Sequence, residues 1–517
     1  MDLFIKIAML VVFFGTMIGI GLYCRKQATN VDGFVLGGRS VGPWLTAFAY
    51  GTSYFSAVVF VGYAGQFGWK FGIAATWAGI GNAFLGSLLA WAVLGRRTRV
   101  MTQHLGSATM PQFFENRYGS KALKLAASVI IFIFLIPYTA SLYNGLSRLF
   151  GKAFEIDYSV CVIAMAVLTA VYVIAGGYMA TAINDFIQGI IMIVGIIAVI
   201  FAVSNENGGL MEAMNSLGQI SDVSENIPAG SFNSFFGPDP AGLLGVVLLT
   251  SLGTWGLPQM VQKFYAIKTE KAITKGMVIS TVFALVVAGG CYFLGGFGRL
   301  VFPSAEAMQA AGGFDAIIPT MLSNLSPILI GIVVVLVLSA SMSTLSSLVM
   351  TSSSTLTLDF IKGTVSKKMT EKKQLLTIRI LIAVFIAISV VIAIVQHRLG
   401  LAFIAQLMGI SWGALAGAFL APFLYGLYWK KTTPAAVWPC MIFSSVVMLS
   451  NIFLGQYFPA LIRSPINAGA FCMLAGLIIV PVVSLFTKAP NKEHTDAVFS
   501  CYDKKVVVSA KDSIGND

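Results

Sequence analysis

Apolar runs of about 20 residues recur along the whole chain, and they limit its fold more than any other feature. A run of that length crosses the ~30 Å hydrocarbon core of a bilayer as a helix. Inside lipid every backbone polar group must be satisfied within the protein, which a helix achieves by itself. Thirteen runs are read, near residues 3–24, 41–66, 72–95, 123–148, 157–178, 181–203, 240–262, 276–301, 326–358, 375–396, 402–429, 433–457 and 467–487. The 517 residues are 57% hydrophobic and 10% charged, against about 25% charged in soluble domains. The expected class is an all-α integral membrane protein with thirteen transmembrane helices.

A net charge of +12 would suit a nucleic-acid partner, but its distribution argues against one. With the N-terminus outside, the inward loops hold Arg25, Lys26 and Arg39, the cluster Arg96 to Lys124, and Lys263, Lys268, Lys271 and Lys275. They also hold the cluster Lys362 to Arg379, Lys430 and Lys431, and the lysines of the C-terminal tail. The opposite side keeps only Lys6, Lys70, Arg148, Lys152, Arg299, Arg398 and Arg463. Cytoplasmic loops carry the Lys/Arg excess. The basic charge thus predicts a multi-pass plasma-membrane protein with its N-terminus outside and C-terminus cytoplasmic, without a nucleic-acid partner. Oligomeric state is not set by the sequence. The first run reads as a membrane helix rather than a signal peptide, because its basic pair follows the apolar stretch.

Two runs are interrupted. In the second, the segment Gly51 to Ser56 is rich in glycine, hydroxyl and aromatic residues, a poor setting for a continuous helix. In the seventh, Pro258 follows Gly253 to Leu257, removing a backbone donor and clashing with the preceding turn. Interrupted spans at corresponding places in two halves point to a midplane binding site in a transporter; close helix packing at small residues is the alternative. Spans two to six and seven to eleven each hold five helices opening on a broken one, which predicts a five-plus-five inverted repeat. The expected organisation is a peripheral first helix and loop (1–40), a first repeat (41–203), an acidic extracellular connector (204–239), a second repeat (240–429), peripheral spans (430–487) and a cytoplasmic tail (488–517).

Polar residues inside the runs are few. Ser343, Ser346 and Ser347 share one helix face and offer hard oxygen ligands for an alkali cation, or else bond back to carbonyls one turn earlier. Asp185 is a rare intramembrane carboxylate, either ion-binding or interfacial. Tyr138, Ser141 and Asn144 form a stripe on span four. Trp77 and Asn82 lie on span three, and Gln406, Ser411 and Trp412 on span eleven. Aromatic rings beside a few polar groups suit a small-solute pocket, and the exposed N–H groups of a half-helix near Ser53 to Ser56 suit an anionic group. The six cysteines have no metal spacing, and His104, His397 and His494 fall in loops or at span ends. A membrane enzyme would need clustered acids, histidines or a nucleophile–base pair. The phosphate-loop look-alike at Gly145, Gly151 and Lys152 has the wrong spacing and ends in Ala153. Transport is expected, without an organic cofactor and not as an enzyme.

The stretch Asp32–Gly33–Phe34–Val35–Leu36–Gly37–Gly38–Arg39–Ser40 resembles the sodium:solute symporter family. So do Gly176–Gly177 with Asp185 and Gln188, Trp255–Gly256 with Gln259 and Gln262, and Ser339–Ala340–Ser341–Met342–Ser343–Thr344. The resemblance runs from about residue 30 to Trp429. It implies sodium-coupled import of a small polar metabolite by alternating access, with a proton-coupled symporter of the same fold, or a channel, as alternatives. It implies a first sodium site from the carbonyls of Thr52, Phe55 and Ala340 with the hydroxyls of Ser343 and Thr344. Some members use a second sodium, here matched by Asp185, Ser343, Ser346 and Ser347. The substrate site implied comprises Ser53, Tyr54, Ser56, Trp77, Tyr138, Ser141, Thr254, Trp255, Pro258, Gln406 and Ser411. Proline symporters of the family carry an aspartate where this chain has Tyr54, and aromatic residues in place of Thr250 and Thr254. The span-four arginine of sialic-acid symporters and the span-eight lysine of sugar symporters have no counterpart.

Overall fold

The computed structural model describes residues 2–154, 157–366, 368–399 and 404–503. Residues 402 and 403 of the eleventh expected span and 504–517 of the expected tail lie outside the described residues. Among the described residues, ten helices are long and apolar enough to cross a membrane, or eleven if one bent pair counts as a span. This is fewer than the thirteen runs because two stretches are continuous: Val58–His104, 47 residues, and Tyr158–Glu206, 49 residues. At 1.5 Å per residue each measures about 70 Å, more than two hydrocarbon cores. Each also passes through a glycine whose backbone other residues avoid: Gly72 at φ 62°, ψ −144° and Gly177 at φ 58°, ψ −152°. The breaks fall where the sequence separates spans two from three and five from six.

The helices used below are α1 (Asp2–Cys24), α2 (Pro43–Tyr54), α3 (Ala64–Phe71), α4 (Thr76–Gly81), α5 (Lys121–Phe154), α6 (Tyr158–Glu206), α7 (Pro240–Gly256) and α8 (Pro258–Ala266). They continue as α9 (Glu270–Gly295), α10 (Pro327–Thr355), α11 (Glu371–Leu399), α12 (Ile404–Tyr428), α13 (Pro434–Leu454), α14 (Pro465–Phe486) and α15 (Lys492–Phe499).

Both expected interruptions are present. α2 runs through Gly51 and stops at Tyr54; Phe55 is extended at φ −86°, ψ 115°, and a π-helical turn over Val58–Tyr63 leads into α3. α7 stops at Gly256, Leu257 is extended at φ −76°, ψ 122°, and α8 restarts at Pro258 with a 46° bend. The glycines have a separate packing role. A Cβ on Gly51 would sit 2.4 Å from the Phe283 ring, and one on Gly253 would sit 2.6 Å from the Trp412 ring.

α10 and α12 are the most buried of the spanning helices. α10 packs on α6, α5 and α2, and α12 on α14, α13, α5 and α7. α6 instead exposes Val160, Ile163, Val167 and Val171, one stripe at helical spacing, as a lipid-facing surface requires. Loops expected on the same side of the membrane meet in space. At one end Arg99 donates to the carbonyls of Ile267 and Lys268 at 2.7 and 2.6 Å, Arg39 to Ser107 at 2.6 Å and Arg117 to Gly426 at 2.8 Å. α15 docks there through Lys430 and Asp496 at 2.8 Å. At the other end the Trp77 indole donates to the Phe235 carbonyl at 2.9 Å. The buried Arg299 pairs there with Asp222 at 2.7 Å, fastening the acidic connector. The Ser224 hydroxyl and then the Arg299 guanidinium hold the Asp222 carboxyl below the usual carboxylate range.

Candidate ion and solute site

α10 buries Ser339, Ser341, Ser343, Thr344, Ser346 and Ser347. A hydroxyl inside a helix readily bonds to the carbonyl one turn back. Ser341 does so on Val337 and Ser346 on Ser343, each at 2.8 Å. Ser343 and Thr344 reach further. Ser343 Oγ lies 2.8 Å from the Ser339 carbonyl and 3.2 Å from those of Ala340 and Thr52. Thr344 Oγ1 lies 3.0 Å from the Thr52 carbonyl, 3.1 Å from Ala340 and 3.2 Å from Phe55. Each hydroxyl has a single proton to donate, so two protons serve six oxygen–oxygen contacts. Bifurcated sharing can spread each proton over two carbonyls; the contacts beyond that leave oxygen facing oxygen, an arrangement that a positive charge would relieve. Thr52 and Phe55 can contribute because the chain leaves the helix at Phe55, freeing carbonyls from their intrahelical partners. Five oxygens with no sulfur or imidazole form a hard donor set that fits an alkali cation.

One turn further along α10, Ser347 Oγ lies 2.9 Å from Ser53 Oγ and accepts from Lys263 Nζ at 3.0 Å. Lys263 Nζ is 3.8 Å from Asp185 Oδ2, and the two side chains are 4% and 0% exposed. The sequence reading placed Lys263 in an inward loop as a topology charge. The structure corrects this: the residue lies within α8 and folds back beneath α10, over the Tyr178 ring at 5.2 Å. Asp185 is fully buried beside Lys263 and is not exposed to solvent. Asp359, beyond the expected end of span nine, is a further buried carboxylate, bonded by Thr109 and Gln112 at 2.6 and 2.8 Å.

A second group of side chains surrounds the break in α2. The Tyr138 phenol of α5 faces Ser56 and the Trp412 indole, with its ring edge-on to Trp412 at 6.0 Å. The Trp412 ring lies against Gly253 of α7. The hydroxyls of Tyr54, Tyr63 and Ser411 are buried without a protein partner. Buried polar atoms normally find one, so these are available to a small polar ligand. Ser56, Tyr138, Ser411 and Trp412 are at most 1% exposed, so solvent does not reach them in this conformation. Pro258 is buried at the start of α8.

Other expected residues lie elsewhere. Ser53 turns to Ser347. Ser141 bonds back to the Tyr138 carbonyl at 2.6 Å. Thr254 and Trp255 donate to the carbonyls of Gly86 and Leu85, each at 2.9 Å. Gln406 is half-buried at the start of α12. Trp77 belongs to the contact with the connector, a use the sequence does not distinguish from a pocket wall. Tyr63 and Lys263 are residues that sequence reasoning missed. Their signal was position, since Tyr63 follows the predicted break after α2 and Lys263 the predicted break before α8.

The sodium:solute symporter family pattern matches residues 34–442. The chain belongs to the sodium:solute symporter family. It is 31% identical over 497 residues to sodium/proline symporters of Staphylococcus aureus, including those of strains JH9 and NCTC 8325, with 93% of each chain covered. Its fold matches a sodium-coupled sialic acid symporter solved in a substrate-bound outward-open state, with a TM-score of 0.74. That match has 16% identity and covers 94% of this chain and 99% of that one. Membership makes this family member a sodium-coupled transporter embedded in the membrane, and not an enzyme.

Proposed function

We propose that the protein imports a small neutral or zwitterionic metabolite with sodium, and that the cation sits between the broken α2 and α10, held by the carbonyls of Thr52, Phe55 and Ala340 and the hydroxyls of Ser343 and Thr344. The observation that carries this is the excess of oxygen contacts over protons at Ser343 and Thr344. When bound, the ion supplies the positive charge those oxygens lack. This chain's residues do the rest. Thr52 and Phe55 lie at the broken end of α2, Ser343 and Thr344 on a continuous helix, and holding both favours one conformer. A ligand shifts an equilibrium only by such a difference in affinity.

The solute pocket proposed lies next to the cluster, around Tyr54, Ser56, Tyr63, Tyr138, Ser411 and Trp412. The 31% identity to sodium/proline symporters favours an amino acid such as proline, and the neutral hydroxyl lining suits a zwitterion. Tyr54 in place of the acid of the proline symporters leaves other neutral nutrients and organic acids as outcomes of the assay. In the proposed topology the arginine-rich end faces the cytoplasm, and thirteen spans form a five-plus-five inverted repeat flanked by α1, α13 and α14. One sodium ion is energetically enough. A tenfold gradient gives about 1.4 kcal/mol and 100 mV about 2.3 kcal/mol per charge, roughly 500-fold accumulation. Proteoliposomes loaded with potassium and given external sodium are expected to concentrate radiolabelled proline. If several candidate solutes are carried at full rate in sodium-free medium at fixed pH, the sodium reading fails; stimulation by acid alone would favour proton coupling.

A further inference from the structure

We propose that Lys263 is a resident cation: its ammonium takes the place between Asp185 and Ser347 that a second sodium ion would occupy, so the protein binds one sodium ion per chain. The proposal rests on the Ser343–Thr344 cluster being the sodium site and adds the stoichiometry of that site.

The residues matched to a second ion are Asp185, Ser343, Ser346 and Ser347, and here each is already engaged. Ser347 Oγ accepts from Lys263 Nζ at 3.0 Å and meets Ser53 Oγ at 2.9 Å. Ser346 donates to the Ser343 carbonyl at 2.8 Å. Ser343 belongs to the first cluster through Thr52. Asp185 has no hydrogen bond to either carboxylate oxygen, and its charge is met by the ammonium at 3.8 Å. A buried carboxylate requires a compensating positive charge, and Lys263 supplies that charge from α8. A sodium ion placed among the same ligands would stand within a few ångströms of the ammonium in a poorly screened interior, where like charges repel strongly. The residues therefore do not fit a second metal ion while Lys263 stays in place.

The location gives the ammonium a further role. Ser347 is one helical turn from Ser343, and Ser53 adjoins Thr52, so Lys263 lies one turn from the sodium cluster. It joins α8, α6, α10 and, through Ser347, α2. A mobile second ion would make that junction depend on sodium. A tethered ammonium holds it in place throughout and draws nothing from the sodium gradient.

The test is equilibrium binding of radioactive sodium to the purified full-length protein, together with melting temperature as a function of sodium. The wild type is expected to bind one ion per chain with a Hill coefficient near 1, and Ser343→Ala to need at least tenfold more sodium for the same occupancy. Lys263→Ala removes the ammonium and leaves room, and it is expected to bind two ions with a Hill coefficient above 1. The neutral double variant Asp185→Asn/Lys263→Met should return to one. If Lys263→Ala is too unstable at low sodium for counting, its melting temperature should climb about twice as steeply per decade of sodium as that of the wild type. Two ions on the wild type would overturn the proposal and leave the first site standing, as would Lys263→Ala holding one ion or melting with the wild-type slope. No ion on the wild type would overturn the cluster as a sodium site, and this inference with it.

Discussion

Ser343 and Thr344 carry the ion-binding account because each hydroxyl is shared among carbonyls of two helices. Removing either oxygen should weaken the site by about the worth of an interaction with a charge, ~1.5–3 kcal/mol, or tenfold and more in affinity. Ser343→Ala and Thr344→Ala are each expected to raise the sodium concentration for half-maximal uptake at least tenfold, while Ser341→Ala, whose hydroxyl only bonds back to Val337, leaves it unchanged. Asp185→Asn strands a buried ammonium, and losing one partner of such a pair costs about 3–5 kcal/mol. Asp185→Asn/Lys263→Met should recover most of the lost melting temperature, a coupling read from the double-mutant cycle. The serine face of α10 was legible from its spacing, since i, i+3 and i+4 must share a side. Which of those hydroxyls meets foreign backbone was not, because that depends on where α2 stops. Lys263 was misread for a plain reason: a count of charges along the chain treats any lysine after an apolar run as a loop residue, even when its helix folds back into the protein.

The broken helices were the most readable elements. Pro258 and the glycine- and hydroxyl-rich Gly51 to Ser56 announce an interruption through local backbone chemistry alone, and the chain is extended at Phe55 and Leu257. The break inside α6 falls at Gly177, at the boundary the sequence places between spans five and six. Gly177 there adopts φ 58°, ψ −152°, and a Cβ would lie 2.9 Å from the Phe34 carbonyl. Gly177→Ala is expected to destabilise by at least the ~1–3 kcal/mol typical of such strained backbone, read as a fall in melting temperature. The connector makes a different prediction. The folded-state pKa of Asp222 is depressed, by Ser224 first and then Arg299. Its contribution is therefore fully present above the unfolded carboxylate value of about 3.9 and is lost as pH falls through the lower, folded value. Protease resistance of residues 204–239 should hold from pH 8 to pH 5 and fall only in stronger acid. Asp222→Asn should show low resistance across the whole range.

At the scale of the molecule, the segregation of basic loops that the sequence displays matches the meeting of Arg39, Arg99, Arg117 and α15 at one end. Composition and run length were enough for the all-helical membrane class, and linear motifs for the family. The pocket wall was only partly legible. Thr254 and Trp255 carry pocket chemistry yet donate to the carbonyls of Gly86 and Leu85, and no linear pattern separates a ligand contact from a helix–helix contact. On the proposed mechanism, the buried side chains around Tyr138 and Trp412 must become reachable from each side in turn, with the cation linking α2 to α10 in one of the two states. The most direct test is the melting temperature of the purified protein against sodium, with potassium holding ionic strength constant, for the wild type and for Ser343→Ala/Thr344→Ala. The wild type is predicted to gain stability with each decade of sodium and the double variant to stay flat. A double variant that follows the wild-type curve would contradict the placement of the ion between these two helices.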